Sequence, residues 1–217
     1  MSANIYVDGL NLYYGALRNT QFKWLDIGAL CDKLLPGYDI HRIRYFTARV
    51  VSLPHDQNAP TRQDIYFRAL RTIPNLIIHD ESRFAKRVTL LPQFPLAYIN
   101  NNYAKPPQAV QVQRLEEKRS DVNLASWLLY DCFSNDCDDA VVISNDSDLC
   151  QAVEIVTSKY GKKVLIINPH PKRRQSRELL KVATSFMHTI NKKVIVACQF
   201  PPTLTDVNGT FTKPPSW

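Results

Sequence analysis

The chain has 217 residues, 45% of them hydrophobic, which is enough to bury a full core in a single domain. It has no apolar run of the roughly 18 residues that span a membrane, no secretion-signal pattern at its start and no CxxC pair among its five cysteines, so a cytoplasmic protein with reduced thiols is predicted. The formal net charge of +7 favours a polyanionic partner, whereas the scattered spacing of the five histidines argues against a zinc site.

The first predicted element is a short buried strand that ends in an acid. Residues 3–7 (ANIYV) form this strand, the sequence DGLN follows it, and a helix is predicted over residues 12–18. Neither GxGxxG nor GxxxxGK[ST] is present, which argues against a dinucleotide site or a phosphate loop. Asp8 therefore stands at the carboxyl end of a strand, where open α/β sheets bind their ligands.

The next elements alternate between helix and strand. Asp26 is the predicted N-cap of a helix over residues 27–35, and a strand is predicted within residues 40–51. A helix over residues 61–71 and a strand over residues 75–79 follow. The order β-α-β-α-β predicts an α/β protein with a doubly wound parallel sheet, in a Rossmann-like three-layer α/β/α arrangement.

The segment 81–118 breaks this alternation and is predicted to be an inserted β-hairpin arm with strands near residues 88–91 and 110–113. Its cations and those just after it are Arg83, Lys86, Arg87, Lys105, Arg114, Lys118 and Arg119, and its aromatic residues include Phe84, Phe94, Tyr98 and Tyr103. Cations follow phosphates and rings stack on bases, so this mixture suits single-stranded nucleic acid, with Lys86, Arg87, Arg114, Lys118 and Arg119 as the predicted contacts. The alternative is a solvated hairpin whose rings pack on the main domain.

Two further acids stand near predicted helix starts. Ser120 is the predicted N-cap of an amphipathic helix that begins with Asp121, where the helix dipole stabilises a carboxylate. The buried strand 140–143 is followed by the sequence SNDSD and then by a helix around residues 152–159. Asp146 lies in that turn, and its alternative role is an ordinary helix cap.

The remaining elements complete the predicted domain. A strand over residues 163–167, a helix over 176–182 and an edge strand over 194–197 are predicted. Residues 1–198 are expected to form one domain that includes the arm, and the Pro-rich tail 199–217 is expected to run extended over the surface without adding to the core.

The predicted topology brings the acids together. In the common doubly wound order the first strand lies beside the strand 140–143, so Asp8 and Asp146 meet at adjacent strand tips and Asp121 approaches from the intervening helix. Three unpaired carboxylates repel one another and raise their own pKa values. A hard divalent cation removes that repulsion, and carboxylate oxygens suit Mg²⁺ or Mn²⁺. Such a site under a basic rim is typical of metal-assisted phosphodiester hydrolysis.

The same stretches resemble a known family. The sequence VDGLNL at residues 7–12 is similar to the first motif of the NYN domain family (LabA-like), in the PIN-like nuclease superfamily. The sequences EKRSDV at 117–122 and VISNDSDL at 142–149 resemble its middle and third motifs, and the similarity spans roughly residues 3–168. Arg119, Ser120 and Asn145 stand where the family often has glycine, which is a departure in the turns and leaves the acids intact.

The resemblance implies a PIN-like α/β fold and a divalent-metal ribonuclease. It implies that Asp8, Asp121 and Asp146 are both catalytic and metal-binding, and the supporting residues are Asn11, Glu117, Ser144 and Asp148. The leading hypothesis is therefore a nuclease that hydrolyses phosphodiester bonds in RNA with Mg²⁺ or Mn²⁺.

Two alternatives stand beside the ribonuclease hypothesis. The first is a non-catalytic RNA- or nucleic-acid-binding regulatory module on the same fold, in which the acids bind metal or cap helices without turnover. The second is a small-molecule phosphatase of the haloacid dehalogenase type, which expects an Asp two residues after the nucleophile, where this chain has Leu10.

Overall fold

A computed structural model defines the fold and describes residues 2–92, 109–171, 174–187 and 190–217, apart from the side chains of residues 85, 86, 92, 113 and 115. The strands are β1 (Ser2–Asp8), β2 (Asp39–Arg49), β3 (Leu76–Pro92), β4 (Ala109–Lys118), β5 (Asp139–Ile143), β6 (Lys163–Ile167), β7 (Ser185–Met187), β8 (Thr203–Asp206) and β9 (Gly209–Thr212). The helices are α1 (Gly9–Leu12), α2 (Ile27–Leu34), α3 (Ala59–Leu70), α4 (Ser120–Phe133), α5 (Cys150–Lys159), α6 (Arg177–Val182) and α7 (Lys192–Ala197).

Within the described chain, seven strands form the central sheet in the order β4-β3-β2-β1-β5-β6-β7. All neighbouring pairs are parallel except β3 and β4, which are antiparallel. The predicted α/β class and doubly wound sheet are therefore confirmed. Because β1 lies between β2 and β5, the strand order reverses at β1, and this is the edge where ligands are expected.

Alternating residues of the central strands face two separate cores, as a sheet covered on both faces requires. In β1, Ile5 and Val7 face a core built with α2, α3, α7 and the C-terminal segment, whereas Tyr6 faces a second core. That second core contains side chains from α4, α5 and α6, such as Leu128 and Val153. The layers are thus helix, sheet and helix, and no helix in the described ranges is long and apolar enough to cross a membrane.

The predicted arm is an extension of the sheet. β3 pairs with β2 up to Arg83 and then continues as an antiparallel pair with β4, in an unbroken register from Arg83–Lys118 to Pro92–Ala109. The two extended strands predicted within residues 81–118 are therefore present. The residues 93–108 that join them, with Phe94, Tyr98, Tyr103 and Lys105, lie outside the described part of the chain.

Two predicted elements near the C-terminus are wrong. Residues 194–197 belong to α7, which begins after Asn191, and the edge strand of the sheet is β7. The Asn191 side chain accepts a hydrogen bond from the Lys193 N–H, and this cap starts a helix in a segment whose β-branched residues favour a strand.

The second error concerns the tail, which does not run extended over the surface. Strands β8 and β9 form an antiparallel hairpin, and Phe200 and Phe211 are buried. The rings of Phe200, Phe211 and Trp217 lie 5.7, 6.5 and 6.3 Å from the ring of Trp24, and Trp24 Nε1 donates to the Pro201 carbonyl at 2.8 Å. Aromatic packing on one buried indole thus draws the segment into the core.

A buried ion pair fixes α4 on the sheet. Arg44 on β2 donates from Nε and one terminal nitrogen to both carboxylate oxygens of Asp131 on α4, at 2.7 and 2.8 Å. The Tyr6 hydroxyl donates to the same carboxylate at 2.9 Å, and the Arg44 guanidinium lies 3.8 Å from the centre of the Trp127 ring. Because both charges are almost fully buried and mutually satisfied, the pair sets the position of α4 and of Asp121 in its first turn.

Candidate active site at the strand tips

Asp8 is the last residue of β1 and the most rigidly held acid of the site. One carboxylate oxygen accepts the Asn11 N–H at 2.9 Å, which caps α1, and the other accepts the Ser144 hydroxyl at 2.9 Å. The side chain is 3% exposed. Two donors from separate segments therefore hold this carboxylate in one orientation.

Gly9 is required directly after Asp8 because the backbone passes close to β2. A Cβ atom on Gly9 would lie 2.6 Å from Tyr45 Cζ and 2.8 Å from the Phe46 carbonyl oxygen. Contacts this short do not occur without displacement of the neighbours. The glycine thus lets the strand tip turn into α1 against the Tyr45 ring.

Asp146 lies in the turn after β5. Its carboxylate accepts the Asp148 N–H at 3.1 Å and caps a short 3₁₀ turn, Ser147–Leu149, so the capping role considered from the sequence is real. Its own N–H donates to the Ser144 hydroxyl oxygen at 3.1 Å. Ser144 is fully buried and therefore connects Asp8 and Asp146 through one hydroxyl group.

Asp121 is in the first turn of α4, as predicted, but Ser120 is not the N-cap. Arg119 occupies that position with φ of 91°, in the left-handed region, and the Ser120 N–H donates to the Glu117 carboxylate at 3.0 Å. The family's frequent glycine has a physical reason here, since glycine adopts positive φ without strain. Glu117 thus supports the start of the helix that carries Asp121.

Asn11 joins three strand tips. Its side-chain oxygen accepts the Asn145 N–H at 3.2 Å and lies 3.0 Å from His170 Nε2. His170 follows β6 by three residues, so the rule that placed Asp8 and Asp146 at strand ends also pointed to it, although the sequence-based prediction did not include it.

A pocket of about 460 Å³ contains the three predicted catalytic acids. Its lining consists of Asp8, Leu10, Asn11, Tyr14, Arg18, Glu117, Ser120, Asp121, Asp146 and His170. Ser144 lies beneath this pocket and Asp148 is exposed beside it, and neither is part of the lining. The arrangement places the acids together, and their catalytic role stays a prediction.

The acids of the pocket are electrostatically strained. Burial raises the pKa of Asp8 to about 7; the Asn11 N–H and the Ser144 hydroxyl act against the rise, and the charges of Asp121 and Asp146 add to it. Burial, followed by the charges of Asp146 and Glu117, raises the pKa of Asp121 to about 6. Neither Asp8 nor Asp121 forms an ion pair with any described residue.

The acids do not yet form a ligand set. Across the described ranges, no group of three or more His, Cys, Asp or Glu side chains is arranged to hold a metal ion. Their donor type, carboxylate oxygen, is the one that Mg²⁺ and Mn²⁺ prefer. Asp121 and Asp146 are half-buried at the pocket wall.

The predicted nucleic-acid contacts lie mainly on the far face of the arm. Residues directly opposite in an antiparallel pair share a face, and Phe84 opposite Glu117 faces the pockets. Arg87 and its partner Arg114 lie three positions further along the arm than Phe84 and Glu117. Because successive side chains alternate between the two faces of a strand, both arginines lie on the opposite face.

Lys118 shares that far face with Arg87, and Glu116 lies 3.4 Å from Arg87 Nε and 3.5 Å from Lys118 Nζ. Arg119 is exposed at the bend before α4, and the side chain of Lys86 is not among those described. Binding of nucleic acid by these five cations stays a prediction.

A second cavity of about 420 Å³ adjoins the acidic pocket. Leu10, Tyr14 and Arg18 line both spaces, so the two spaces meet along the helical segment after β1, which consists of α1 and the π-helix Tyr13–Leu17 that continues it. The rest of the second cavity is rich in aromatic side chains from α3, β2, the arm and the C-terminal segment.

Comparison with known proteins agrees with this architecture. The sequence profile of the NYN domain matches residues 2–191. A curated relative from Pseudomonas putida (strain DSM 28022 / S16), 6-hydroxy-3-succinoylpyridine 3-monooxygenase HspA, is 30% identical over 241 aligned residues, covering 100% of this chain and 75% of the relative.

Among solved structures, a protein of unknown function, VPA0982, from Vibrio parahaemolyticus RIMD 2210633 has the same fold, with a TM-score of 0.54 and 18% identity over 88% of this chain and 93% of that one. The motifs at the strand tips, the sheet order and the match over residues 2–191 agree with one another. The chain belongs to the NYN domain family, a PIN-like nuclease family.

Proposed function

We propose that this chain is a divalent-metal-dependent ribonuclease that hydrolyses phosphodiester bonds in the pocket at the tips of β1 and β5. The observation that carries the proposal is the gathering of Asp8, Asp121 and Asp146 in one pocket, with pKa values of about 7 for Asp8 and about 6 for Asp121. Membership of a nuclease-type family supports it.

The three acids have distinct tasks in this proposal. Asp8 is held by Asn11 and Ser144 and gives a fixed oxygen at the floor of the pocket. Asp121 and Asp146 line the same pocket and would complete the oxygen set that holds the cation, and Glu117 keeps the start of α4 in place through the Ser120 N–H. When bound, Mg²⁺ or Mn²⁺ activates water and stabilises the charge on the scissile phosphate.

Arg18 contributes a positive charge to the lining of the pocket. It lines the same space as the acids and forms no ion pair with any described residue, so its guanidinium is available to a phosphate oxygen. The His170 ring and Asn145 restrain Asn11, which keeps the loops after β1, β5 and β6 in one geometry.

The test is cleavage of mixed single-stranded RNA and DNA oligonucleotides in Mn²⁺, in Mg²⁺ and in EDTA. We expect cleavage of RNA that needs the cation and that Asp121→Asn removes, with Asp32→Asn, an exposed acid on α2, as the matched control. RNA binding without cleavage in either cation would favour the regulatory module.

A second candidate function rests on the relative and on the aromatic cavity. The name of the relative describes oxidation of a hydroxylated succinoylpyridine, and the whole of this chain aligns with 75% of that protein. An aromatic cavity beside the acids has the right character for such a ring. Dioxygen consumption with 6-hydroxy-3-succinoylpyridine and a reduced nicotinamide or flavin, together with intact RNA, would establish this candidate in place of the ribonuclease.

A further inference from the structure

We infer that the aromatic cavity is a binding site for a planar aromatic heterocycle joined to an anion, placed so that the anion lies at Arg18 beside the acids. This inference rests on the proposed function, for which it supplies a base-binding subsite next to the scissile phosphate. The shared chemistry is a flat ring with an attached negative charge, whether it belongs to a nucleotide of RNA or to a free aromatic acid.

The first observation is the connection between the two spaces. Leu10, Tyr14 and Arg18 are four residues apart on the helical segment after β1, so they lie on one face and line both the cavity and the acidic pocket. A ring in the cavity can therefore place an attached anion at Arg18, which also lines the pocket of the acids.

The second observation is the aromatic lining. The rings that border the cavity include Tyr13, Tyr14, Tyr45, Tyr66, Phe84 and Trp217. Tyr66 is buried, and the centre of its ring lies 5.5 Å from that of Trp217. The Trp217 ring in turn lies 6.3 Å from the ring of the buried Trp24, so the floor of the cavity is held by packed rings. Tyr14 is 52% exposed at the rim, where a ring can stack on it from solvent.

The third observation is an unused hydroxyl group. Tyr45 is 7% exposed, lines the cavity and touches the backbone beside Asp8, yet its hydroxyl makes no hydrogen bond to any described residue. The hydroxyl therefore has no partner among the described residues and borders the cavity. A ring nitrogen or an exocyclic oxygen of a bound heterocycle would supply one, because a phenol both donates and accepts.

The fourth observation is the charge at the wall. The Arg18 guanidinium lies 5.2 Å from the centre of the Tyr14 ring and has no carboxylate partner among the described residues. A cavity of about 420 Å³ falls in the range of small-molecule sites. Arg62 in the lining is paired with Asp56, whereas Arg18 and Lys23 have no carboxylate partner among the described residues. The aromatic lining with these two cations selects a ring that carries an anion.

The experiment measures equilibrium binding by calorimetry in EDTA, with the Asp146→Asn protein so that nothing is turned over. The probes are adenosine 5′-monophosphate and ribose 5-phosphate, which share the phosphate and differ in the ring. We expect the nucleotide to bind at least about tenfold more tightly, from the typical strength of base stacking on an aromatic side chain. Equal binding of the two, or no binding of either up to millimolar concentration, would overturn the inference.

Two variants locate the ring. Tyr14→Ala, at an exposed position, should weaken nucleotide binding roughly tenfold, whereas Tyr14→Phe should keep it within about twofold. Arg18→Gln should weaken both probes together. If Tyr14→Ala binds the nucleotide as the parent does, the ring lies elsewhere and the inference fails.

Further probes distinguish the two sources of the ring. A diadenosine RNA dinucleotide that binds more tightly than the mononucleotide points to RNA, whereas nicotinic acid that binds more tightly and competes with the nucleotide points to a free aromatic acid. Ring binding in a protein that cleaves no RNA would overturn the ribonuclease and keep this inference. Cleavage of RNA together with equal binding of adenosine 5′-monophosphate and ribose 5-phosphate would overturn this inference and keep the ribonuclease.

Discussion

The replacement Asp8→Asn tests the electrostatic strain at the floor of the pocket. The ordinary pKa of an aspartate is 3.8, and burial raises that of Asp8 to about 7 in the folded protein. Because the folded value is the higher one, the folded protein keeps the proton while the unfolded chain loses it, so stability falls as pH rises from about 4 to about 7. Above about pH 7 the cost of burying the charged carboxylate lowers the stability by its full amount.

The size of the change in stability follows from the two pKa values of Asp8. A tenfold difference between ionisation constants is worth about 1.4 kcal/mol, so the interval from 3.8 to about 7 corresponds to roughly 4 kcal/mol. Asn keeps an acceptor for the Asn11 N–H and has no charge to bury. In EDTA we therefore expect Asp8→Asn to be close to wild type at pH 4 and more stable by up to roughly 4 kcal/mol at pH 8.

The assay is urea unfolding at pH 4, 6 and 8, with Asp32→Asn as an exposed control on α2. A free energy of unfolding that differs from wild type by the same amount at all three pH values would refute the reasoning. Mn²⁺ added to the wild-type protein at pH 8 should raise its melting temperature, and should raise that of Asp8→Asn less.

Three further predictions concern the helix, the bend and the arm. Asp131→Asn should lower the free energy of unfolding by about 3–5 kcal/mol in urea titration, because it leaves a buried guanidinium without its charge partner. Arg119→Gly should raise the melting temperature, with a gain of about 1 kcal/mol, because it relieves a positive φ, and should weaken RNA binding if this cation binds phosphate. The double change of Arg87 and Arg114 to Ala should lower RNA affinity and flatten its dependence on salt, by about 0.7 in slope for each phosphate that the arm no longer neutralises.

Matched controls keep these three predictions specific. Asp56→Asn breaks a partly exposed ion pair and should change stability by less than about 1 kcal/mol. Asn135→Gly changes a residue type that tolerates positive φ, so its gain should be smaller than that of Arg119→Gly. Arg71→Ala removes an exposed cation beyond the end of α3, and an equal loss of RNA affinity there would show that the arm has no special role.

The parts of the fold that local patterns predict are the parts where hydrophobic spacing decides the structure. β1 and β5 are runs of buried residues that end in a polar turn, and this pattern, with the usual strand order, was enough to place Asp8 beside the turn that carries Asp146. The cap at Asp26 was equally clear, because its side chain accepts the Ala29 N–H as a local motif requires.

The parts that were missed depend on contacts between distant residues. The tail packs because Trp24 offers an aromatic surface about 180 residues away along the chain, and no pattern within 199–217 reveals that surface. The pairing of Arg44 with Asp131 also joins separate elements. Arg119 shows a different limit of sequence-based prediction. Glycine is the usual signal for a left-handed backbone conformation, so the positive φ of an arginine at the start of α4 could not be predicted.

The most direct test of the central claim is RNA cleavage by Asp146→Asn in Mn²⁺. Asparagine caps the 3₁₀ turn nearly as well as aspartate, so the melting temperature should stay close to that of the wild-type protein. It removes a charge that the cation needs and reduces repulsion of the phosphates, so cleavage should vanish while RNA binding persists or tightens. Cleavage by Asp146→Asn at the wild-type rate would remove Asp146 from the mechanism and contradict the proposed site.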